Sequence, residues 1–555
     1  MLRKTISVTV AALVLQAAGG AASAAPDAVY FNANVWTGDA RQPKAEAIAI
    51  DDGSIVALGS TAEVRKLADP KTRVVDLQGA FVVPGFIDNH VHFINGGMAL
   101  AQVDLRDAAT RAEFTKRIAQ AAAKTPKGQW VKDGNWDHEL WGGELPTRDW
   151  IDKDTANTPV FISRLDGHMA LANSLVLKLA GIDENTADPE GGTIVRDQNG
   201  RPTGVLKDNA MNLVNQAIPP LSDQELADGL ERAMEHAVAR GVTQVHDMGG
   251  IEDWRVIELY RRARASDKLR LRIYSFAPLA DWQKAAEYKQ RNGSGDAWLR
   301  WGGLKGFVDG SLGSTTAWFH QPYDDAPNTT GLTMVDPEQL RTAITAASKA
   351  GLHVAVHAIG DRANDWLLDA FEKVEQAGPK QDWRFRIEHA QHLTPAAIKR
   401  FGLLGVVPSM QPAHAIDDGR WAEKRIGAER LKGTYAFRSL IDSGAHLTFG
   451  SDWPVAPLDP LTGIYAAVTR RTADGANPNG WLPQQKITVA EALRSYTAEN
   501  AWAGFQEGKV GVLKQGALAD FAVLSKDLFA VPATEIINVK VVRTVVGGRE
   551  MYVAR

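Results

Sequence analysis

Residues 84–93 read PGFIDNHVHF, an apolar run that ends in two histidines two positions apart, His90 and His92. On a β-strand, residues i and i+2 point to the same face, so both imidazoles can reach one ion. A His-x-His pair is weak evidence alone, because two histidines also fall at this spacing by chance. The segment predicts a strand, and its meaning for function depends on the rest of the chain.

Seven further apolar runs follow: GVTQVHDMG, LRLRIYSFA, WGGLKGFVDG, GLHVAVHAIG, WRFRIEHAQ, LGVVPSM and HLTFGSD. Segments with helical periodicity, such as LADGLERAMEHAVARG and PEQLRTAITAASKAG, follow several runs of this series. Strand–helix alternation repeated eight times predicts an α/β fold with a (β/α)8, TIM-like barrel. We assign the barrel to residues 84–507.

The two ends of the chain have a different pattern, with short apolar runs broken by turns. The Asp52-Gly53 pair between AIAI and SIVALG indicates a hairpin. We expect residues 25–83 and 508–555 to form one small β-sandwich domain built from both ends. The gap between the first two barrel runs is too long for one crossover. It predicts an insertion at about residues 100–235 that covers the barrel mouth.

Three other predicted strands end in side chains that bind metals. His357 ends GLHVAVH, His389 ends FRIEH and Asp452 ends HLTFGSD. In a (β/α)8 barrel these positions lie on the carboxyl-terminal face, where active sites form. Together with His90 and His92, they predict a metal site.

Lys305 lies inside the apolar run WGGLKGFVDG, where burial is costly unless the amine is paired or modified. Two interpretations stay open. Carboxylation by carbon dioxide would turn the lysine into an anionic ligand that bridges two metals. Alternatively, the ammonium pairs with Asp309 or Asp452.

Composition narrows the class of protein. The 555 residues include 45% hydrophobic and 23% charged residues and no cysteine, which excludes disulfides and thiol catalysis. Residues 1–24 have the order of a cleaved secretory signal peptide, so we expect export to the periplasm or beyond, with no membrane span afterwards. The formal charge of −4 becomes −6 without Arg3 and Lys4, which argues against a nucleic-acid partner.

Five segments in this order, PGFIDNHVHF, LKGFVDGSLGS, VHAIGDRAN, RIEHAQ and GSDWPV, resemble the amidohydrolase superfamily. They are most similar to its family 3 branch, which includes N-substituted formamide deformylase and YtcJ-like proteins. The resemblance extends to DGHMALANS (166–174) and GALADFAVL (516–524). It implies the same barrel and small β-sandwich domain that the pattern of strands predicts.

The resemblance also implies roles for individual residues. The positions that match family metal ligands are His90, His92, Lys305, His357, His389 and Asp452. The first-strand pair would hold the more buried metal, and the histidines at 357 and 389 would hold a second. Family members differ in having one metal or two. His168 and His414 match positions that contact substrate or stabilise a developing oxyanion, although surface or supporting roles remain open.

The sequence contains four other groups of candidate residues. Asp361 could orient His357 or cap the following helix, and His246 ends another predicted strand. Histidines 236, 353 and 446 are expected in the core or on the surface. Tryptophans 136, 141, 318 and 453 lie near predicted loops and would suit an aromatic or apolar substrate.

A bound divalent ion lowers the pKa of water from 15.7 to about 7 and polarises a carbonyl. The nitrogen and oxygen ligands suit zinc, and they also tolerate manganese, cobalt or iron. Asp452 would move the proton from water to the leaving nitrogen. We expect hydrolysis of a non-peptide C–N bond in a small amide, such as an N-formyl, N-acyl or cyclic amide. Lactone or ester hydrolysis, deamination, isomerisation and a non-catalytic binding role are the alternatives, and a homodimer is left open.

Overall fold

The computed structural model describes residues 25–251, 253–378 and 380–555. The signal peptide predicted for residues 1–24 lies outside the described residues. Eight parallel strands follow one another in chain order around one sheet, and we number them first to eighth. They are Phe86–Val91, Val242–Asp247, Arg272–Pro278, Leu299–Phe307, His353–Ala358, Arg386–His389, Val407–Met410 and Thr448–Phe449. Each contains part of one predicted run, and the predicted barrel is confirmed.

The barrel closes where the chain beyond the eighth strand meets the first. The backbone N–H of Asp452 donates to the carbonyl of His90 (2.7 Å), and that of His92 donates to the carbonyl of Trp453 (2.8 Å). Val91 and Trp453 form a parallel bridge. Asp452 is therefore fixed beside the two first-strand histidines by backbone hydrogen bonds.

Helices surround the barrel and supply most of its outer packing. They are Phe93–Ala99, Asp223–Val238, Asp253–Ala265, Trp282–Asn292, Pro337–Lys349, Asp361–Ala377, Pro395–Leu404, Pro412–Asp418, Ala422–Leu431, Phe437–Asp442, Pro460–Thr469, Val489–Ser495 and Ala498–Ala503. The first two pack closely through glycines, since a Cβ on Gly97 would lie 2.0 Å from the carbonyl oxygen of Gly229. Among the described helices, none combines the length and apolar character that crossing a membrane requires.

Both ends of the chain form a separate pair of sheets. One has the order Ser54–Gly59, Ala47–Asp51, Ala28–Phe31, Arg73–Asp76, and the other Arg549–Val553, Val541–Val546, Phe521–Leu524, Phe81–Pro84, Asn34–Trp36, Lys44–Ala45. Side chains from both sheets, including Tyr30, Val82 and Phe521, share one core. The predicted hairpin is confirmed, because Asp52 and Gly53 both have positive φ between paired residues.

The chain between the first and second barrel strands contains a five-stranded sheet. Its order is Gly192–Arg196, Pro202–Asp208, Met169–Ala172, Val160–Arg164, Val131–Trp136, with helices Arg111–Lys124, Asp152–Thr155, Ser174–Leu179 and Asn212–Asn215. It has its own core around Phe114, Trp136 and Ile162. The helix Asp223–Val238, partly within the expected insertion, packs instead on the barrel, where Arg232 donates to the Gly97 carbonyl (2.8 Å).

Short elements complete the description. Thr61–Val64 is a single helical turn with a Ser60–Glu63 capping box. The 3-10 turns are Arg65–Leu67, His138–Trp141, Arg148–Trp150, Asn209–Met211, Leu279–Asp281, Pro483–Gln485 and Ala533–Asn538.

Candidate metal centre

His90, in the first strand, and His92, directly after that strand, each have a hydrogen bond at Nδ1. His90 Nδ1 lies 2.5 Å from Glu388 Oε2, and His92 Nδ1 lies 2.6 Å from the Gly249 carbonyl oxygen. Because both neighbours are acceptors, we assign the ring protons to Nδ1. The two Nε2 atoms then carry the lone pairs, which is the form that binds metals.

Asp452 faces both lone pairs. Its Oδ1 lies 3.4 Å from His90 Nε2 and 3.3 Å from His92 Nε2, and it is buried without a hydrogen bond of normal geometry. Burial alone would raise its pKa, but the surrounding imidazoles hold the pKa of Asp452 well below its usual range. The residue has φ of 60°, and such backbone strain concentrates at functional sites.

Three more histidines lie around the same carboxylate. His357 Nε2 is 2.9 Å from the Gly310 carbonyl oxygen, and its ring centroid is 4.4 Å from that of His389. His389 Nδ1 lies 2.9 Å from Gln411 Oε1. His414 Nε2 lies 4.0 Å from Asp452 Oδ2 and is buried without a hydrogen bond.

These donors fit a divalent ion. The ligand atoms of His90, His92 and Asp452 lie within 4.8 Å of one another, and so do those of His389, His414 and Asp452. Burial lowers the pKa of His90 to about 4 and that of His389 well below its usual value, so both are neutral at pH 7. An orphaned carboxylate oxygen among neutral imidazoles is a donor set that a cation satisfies.

Lys305 reaches the same cluster from the fourth strand. Its Nζ lies 3.3 Å from His90 Nε2 and 4.7 Å from the centre of the Phe307 ring. It forms no ion pair within 4.0 Å with Asp309 or Asp452, so the pairing interpretation is wrong for this structure. Asp309 instead accepts backbone N–H groups of Trp318 and Ile359. Burial lowers the pKa of Lys305 to about 8.

Glu388 was missed by sequence reasoning. It accepts from Arg386 Nε (2.7 Å) and Ser409 Oγ (2.6 Å) as well as contacting His90. Burial alone would raise its pKa, but Arg386 and His90 lower the pKa of Glu388 well below its usual range. Alternation would place Glu388 and His389 on opposite faces, and the positive φ of His389 (77°) lets both face the interior. The Arg-x-Glu spacing was the available signal.

His168 comes to the site from the inserted sheet. Its Nδ1 lies 2.7 Å from Asp208 Oδ1, and its ring centroid is 5.1 Å from that of His357. Burial would lower the pKa of His168, but Asp208 raises it above its usual value. Asp208, also missed from the sequence, has φ of 48° and ψ of −126°, which few residues other than glycine adopt.

A cavity of about 680 Å³ leads to these residues and is bounded by both the barrel and the insertion. Its wall includes His92, His168, Lys305, His357, His389 and Asp452, together with residues of the inserted strands and of the segment 209–221. A smaller adjoining recess includes His414 and Trp421. The cavity therefore contains or adjoins every candidate ligand except His90, which lies fully buried behind its wall.

Some candidates lie elsewhere. His246 bonds Arg386 (3.0 Å) and Gln244 (3.2 Å) inside the barrel, away from the ligand cluster. Asp361 neither orients His357 nor caps its helix: Gly360 is the N-cap, and Asp361 accepts from the His320 N–H (2.8 Å). The neighbour of His357 is Asp309, at 3.6 Å.

The four tryptophans that the sequence singled out are absent from the described lining of the cavity and of the recess. Trp136 is fully buried in the core of the insertion and donates to the Ile162 carbonyl (2.9 Å). Trp453 packs against Phe93 and stacks on His236, with ring centroids 5.0 Å apart. Trp421, which the sequence did not single out, is the tryptophan that borders the recess.

Residues 73–552 match the model of the amidohydrolase family. The chain belongs to the amidohydrolase family. It is 42% identical to protein LONG AFTER FAR-RED 3 of Arabidopsis thaliana, over 95% of this chain and 91% of that one. It is 32% identical to the putative amidohydrolase YtcJ of Bacillus subtilis, over 95% of this chain and 99% of that one.

Two further amidohydrolase comparisons bear on the chemistry. N-substituted formamide deformylase of Arthrobacter pascens is 31% identical, over 95% of this chain and 98% of that one. A solved structure of an uncharacterized metal-dependent hydrolase from Pyrococcus horikoshii has a TM-score of 0.75 and 29% identity, covering 91% and 99% of the two chains. The predicted family 3 branch is confirmed.

Proposed function

We propose that this amidohydrolase cleaves the C–N bond of a small non-peptide amide, such as an N-formyl, N-acyl or cyclic amide. The observation that carries the proposal is the orphaned Asp452 carboxylate, which faces neutral histidines at the wall of a ligand-sized cavity. The similarity to a formamide deformylase over nearly the full length of both chains supports the bond type.

One or two divalent ions, with zinc as the first choice, would be held by His90, His92, Asp452 and the histidines at 357 and 389. A bound ion supplies activated water and polarises the substrate carbonyl. If Lys305 is carboxylated, it would add an anionic ligand between two ions. Mass spectrometry of intact and acid-treated protein tests that modification.

Three residues of the chain would carry out the remaining steps of the reaction. Asp452, whose Oδ1 has no hydrogen-bond partner among the described residues, accepts a proton from water and passes it to the leaving nitrogen. His168, held by Asp208, presents its other ring nitrogen to the cavity and donates to the acyl oxygen as negative charge develops there. His414, whose Nε2 lies 4.0 Å from Asp452 Oδ2, lines the recess and would contact the substrate there.

The test is a substrate screen on chelated and reconstituted protein. Panels of N-formyl amines, N-acyl amines, cyclic amides and lactones are offered with zinc, manganese or no metal. The proposal expects turnover of one amide panel that depends on added metal and is lost in Asp452→Asn. An Asp154→Asn variant, changed at an exposed carboxylate of the insertion, controls for handling.

The same screen separates the alternatives. Turnover of lactones or esters alone, or deamination or isomerisation of a panel member, would keep the metal centre and replace the bond type. Metal-independent ligand binding without turnover in any panel would identify a binding protein and overturn the enzyme assignment.

We also propose export, with loss of residues 1–24, and a small-molecule substrate without a nucleic-acid partner. N-terminal sequencing of protein from fractionated cells tests export: retention of Met1 in the cytoplasm would refute it. Light scattering distinguishes a monomer from a homodimer.

A further inference from the structure

One edge strand of the inserted sheet is distorted where it borders the cavity. The strand Val131–Trp136 pairs with Val160–Arg164, but the register shifts between Ser163 and Arg164, so one residue bulges. Asp133, Gly134 and Asn135 have φ of 60°, 109° and 55°. Bulges re-aim side chains beside active sites, and strained backbone of this kind concentrates at functional positions.

An unpaired carboxylate close to the bulge lies on the cavity wall. Asp133 lines the same cavity as His92 and Asp452. Other carboxylates of this wall have basic partners, as Asp166 has Arg164 (2.8 Å) and Asp208 has His168. Across the described ranges, Asp133 has neither a side-chain hydrogen bond nor an ion pair, and burial raises its pKa to about 6.

Uncharged polar side chains also line this cavity. Asn135 and Ser163 belong to its wall, and within the described residues their side chains have no hydrogen bonds. Ser163 pairs with Gly134, which lies between Asp133 and Asn135. Lys132 precedes Asp133 in the chain, but the two side chains form no ion pair within 4.0 Å. Asp133, Asn135 and Ser163 therefore form a polar subsite with one negative charge and spare hydrogen-bonding capacity.

We propose that this polar subsite binds a protonated amine, or a similar compact cation, at the end of the substrate remote from the scissile bond. An ammonium group would pair with the partly desolvated carboxylate and donate to the amide and hydroxyl oxygens beside it. The inference rests on the proposed amide hydrolysis and adds the substrate class: amides with a cationic tail.

Three matched probes differ only at the tail. They are N-formylhexylamine, N-formyl-1,6-diaminohexane and N-formyl-6-aminohexanoate, which end in a methyl, an ammonium and a carboxylate group. We expect the ammonium probe to have a kcat/KM about tenfold or more above that of the methyl probe. Asp133→Asn should remove that preference, leave the methyl probe within about twofold and raise kcat/KM for the carboxylate probe.

Asparagine is a suitable replacement because it matches the shape of aspartate and tolerates positive φ. A folding defect would lower all three values together, whereas loss of charge changes them in opposite directions. Asp154→Asn is the matched control and should keep the wild-type preference. Equal kcat/KM for the methyl and ammonium probes in wild type would overturn the subsite.

Binding without turnover separates this inference from the proposed function. Calorimetry compares 6-aminohexan-1-ol, which is protonated on nitrogen, with neutral hexan-1-ol on wild-type protein and on Asp133→Asn. Tighter binding of the amino alcohol that disappears in the variant supports the subsite even if no formamide is hydrolysed. Equal binding of the two alcohols to wild type refutes it, whatever the hydrolysis screen gives.

Discussion

Histidines occupy two layers of the barrel interior, and the layers differ in what the ring nitrogens contact. In the lower layer, His353 lies 3.1 Å from Tyr274 OH and 2.9 Å from the Arg384 carbonyl oxygen, so both nitrogens are used. In the upper layer, His90 and His92 each turn Nε2 toward Asp452, and the other neighbour of His90 Nε2 is Lys305, itself a candidate ligand. A histidine whose two nitrogens contact only structural groups is structural, and one whose Nε2 faces a carboxylate is a candidate ligand.

Asp452→Asn should lower activity more than any other change in the upper layer. The amide keeps the shape and the left-handed backbone but lacks the charge that attracts metal and accepts a proton. We expect kcat/KM to fall roughly 10²–10⁴-fold. Elemental analysis of the purified variant separates loss of metal from loss of the base. Activity near wild type would show that the general base lies elsewhere.

Glu388→Gln should weaken metal binding in the upper layer indirectly, through His90. The carboxylate fixes the proton on His90 Nδ1, and carboxylate partners of this kind typically contribute 10–100-fold in metal affinity or activity. Competition with a coloured chelator measures the affinity. Ser409→Ala, which removes one donor to the same carboxylate, should have a smaller effect. If Glu388→Gln and wild type bound metal with equal affinity, the only role of Glu388 would be its ion pair with Arg386.

The sequence could predict the position of a site residue where the pattern of a single strand was sufficient. The strand ends at 90, 357, 389 and 452 could be predicted because position along a barrel strand fixes which face of the barrel a residue reaches. Partners from different strands could not be predicted in this way. Glu388 contacts His90 across the barrel, and Asp309 rather than the nearby Asp361 adjoins His357. Positive φ at 133, 208 and 389 also defeats the alternation from which faces are predicted.

Asp208→Asn should lower catalytic activity moderately. An amide in place of the carboxylate no longer favours a proton on both nitrogens of His168, so the donor to the acyl oxygen is weakened. We expect kcat to fall about tenfold with a smaller change in KM, because the interaction strengthens as charge develops. Steady-state kinetics on the best substrate of the screen measures both. A rise in KM with unchanged kcat would instead place His168 in ground-state binding.

His353→Gln should leave activity within about twofold of wild type. It should change how the free energy of unfolding depends on pH in the acid range. Burial, followed by the charge of Arg386, lowers the pKa of His353 to about 3. In the unfolded chain the pKa is about 6.5. Between these values the unfolded state binds a proton that the folded state excludes, so stability falls as pH falls, by about 1.4 kcal/mol per pH unit.

Glutamine can donate to the Arg384 carbonyl and accept from Tyr274 without titrating, so it removes this one contribution. Melting temperatures from pH 7 to pH 4 should therefore fall less steeply in His353→Gln than in wild type. His446→Gln is the control, because that imidazole is 44% exposed on the surface, and its profile should stay closer to wild type. The acid effects of carboxylates that contact neither histidine cancel between these proteins, whereas Glu499, the partner of His446, differs in the control. Parallel profiles for His353→Gln and wild type would mean that the lower layer accepts a proton in the folded state, and that saturated hydrogen bonding does not keep a histidine neutral.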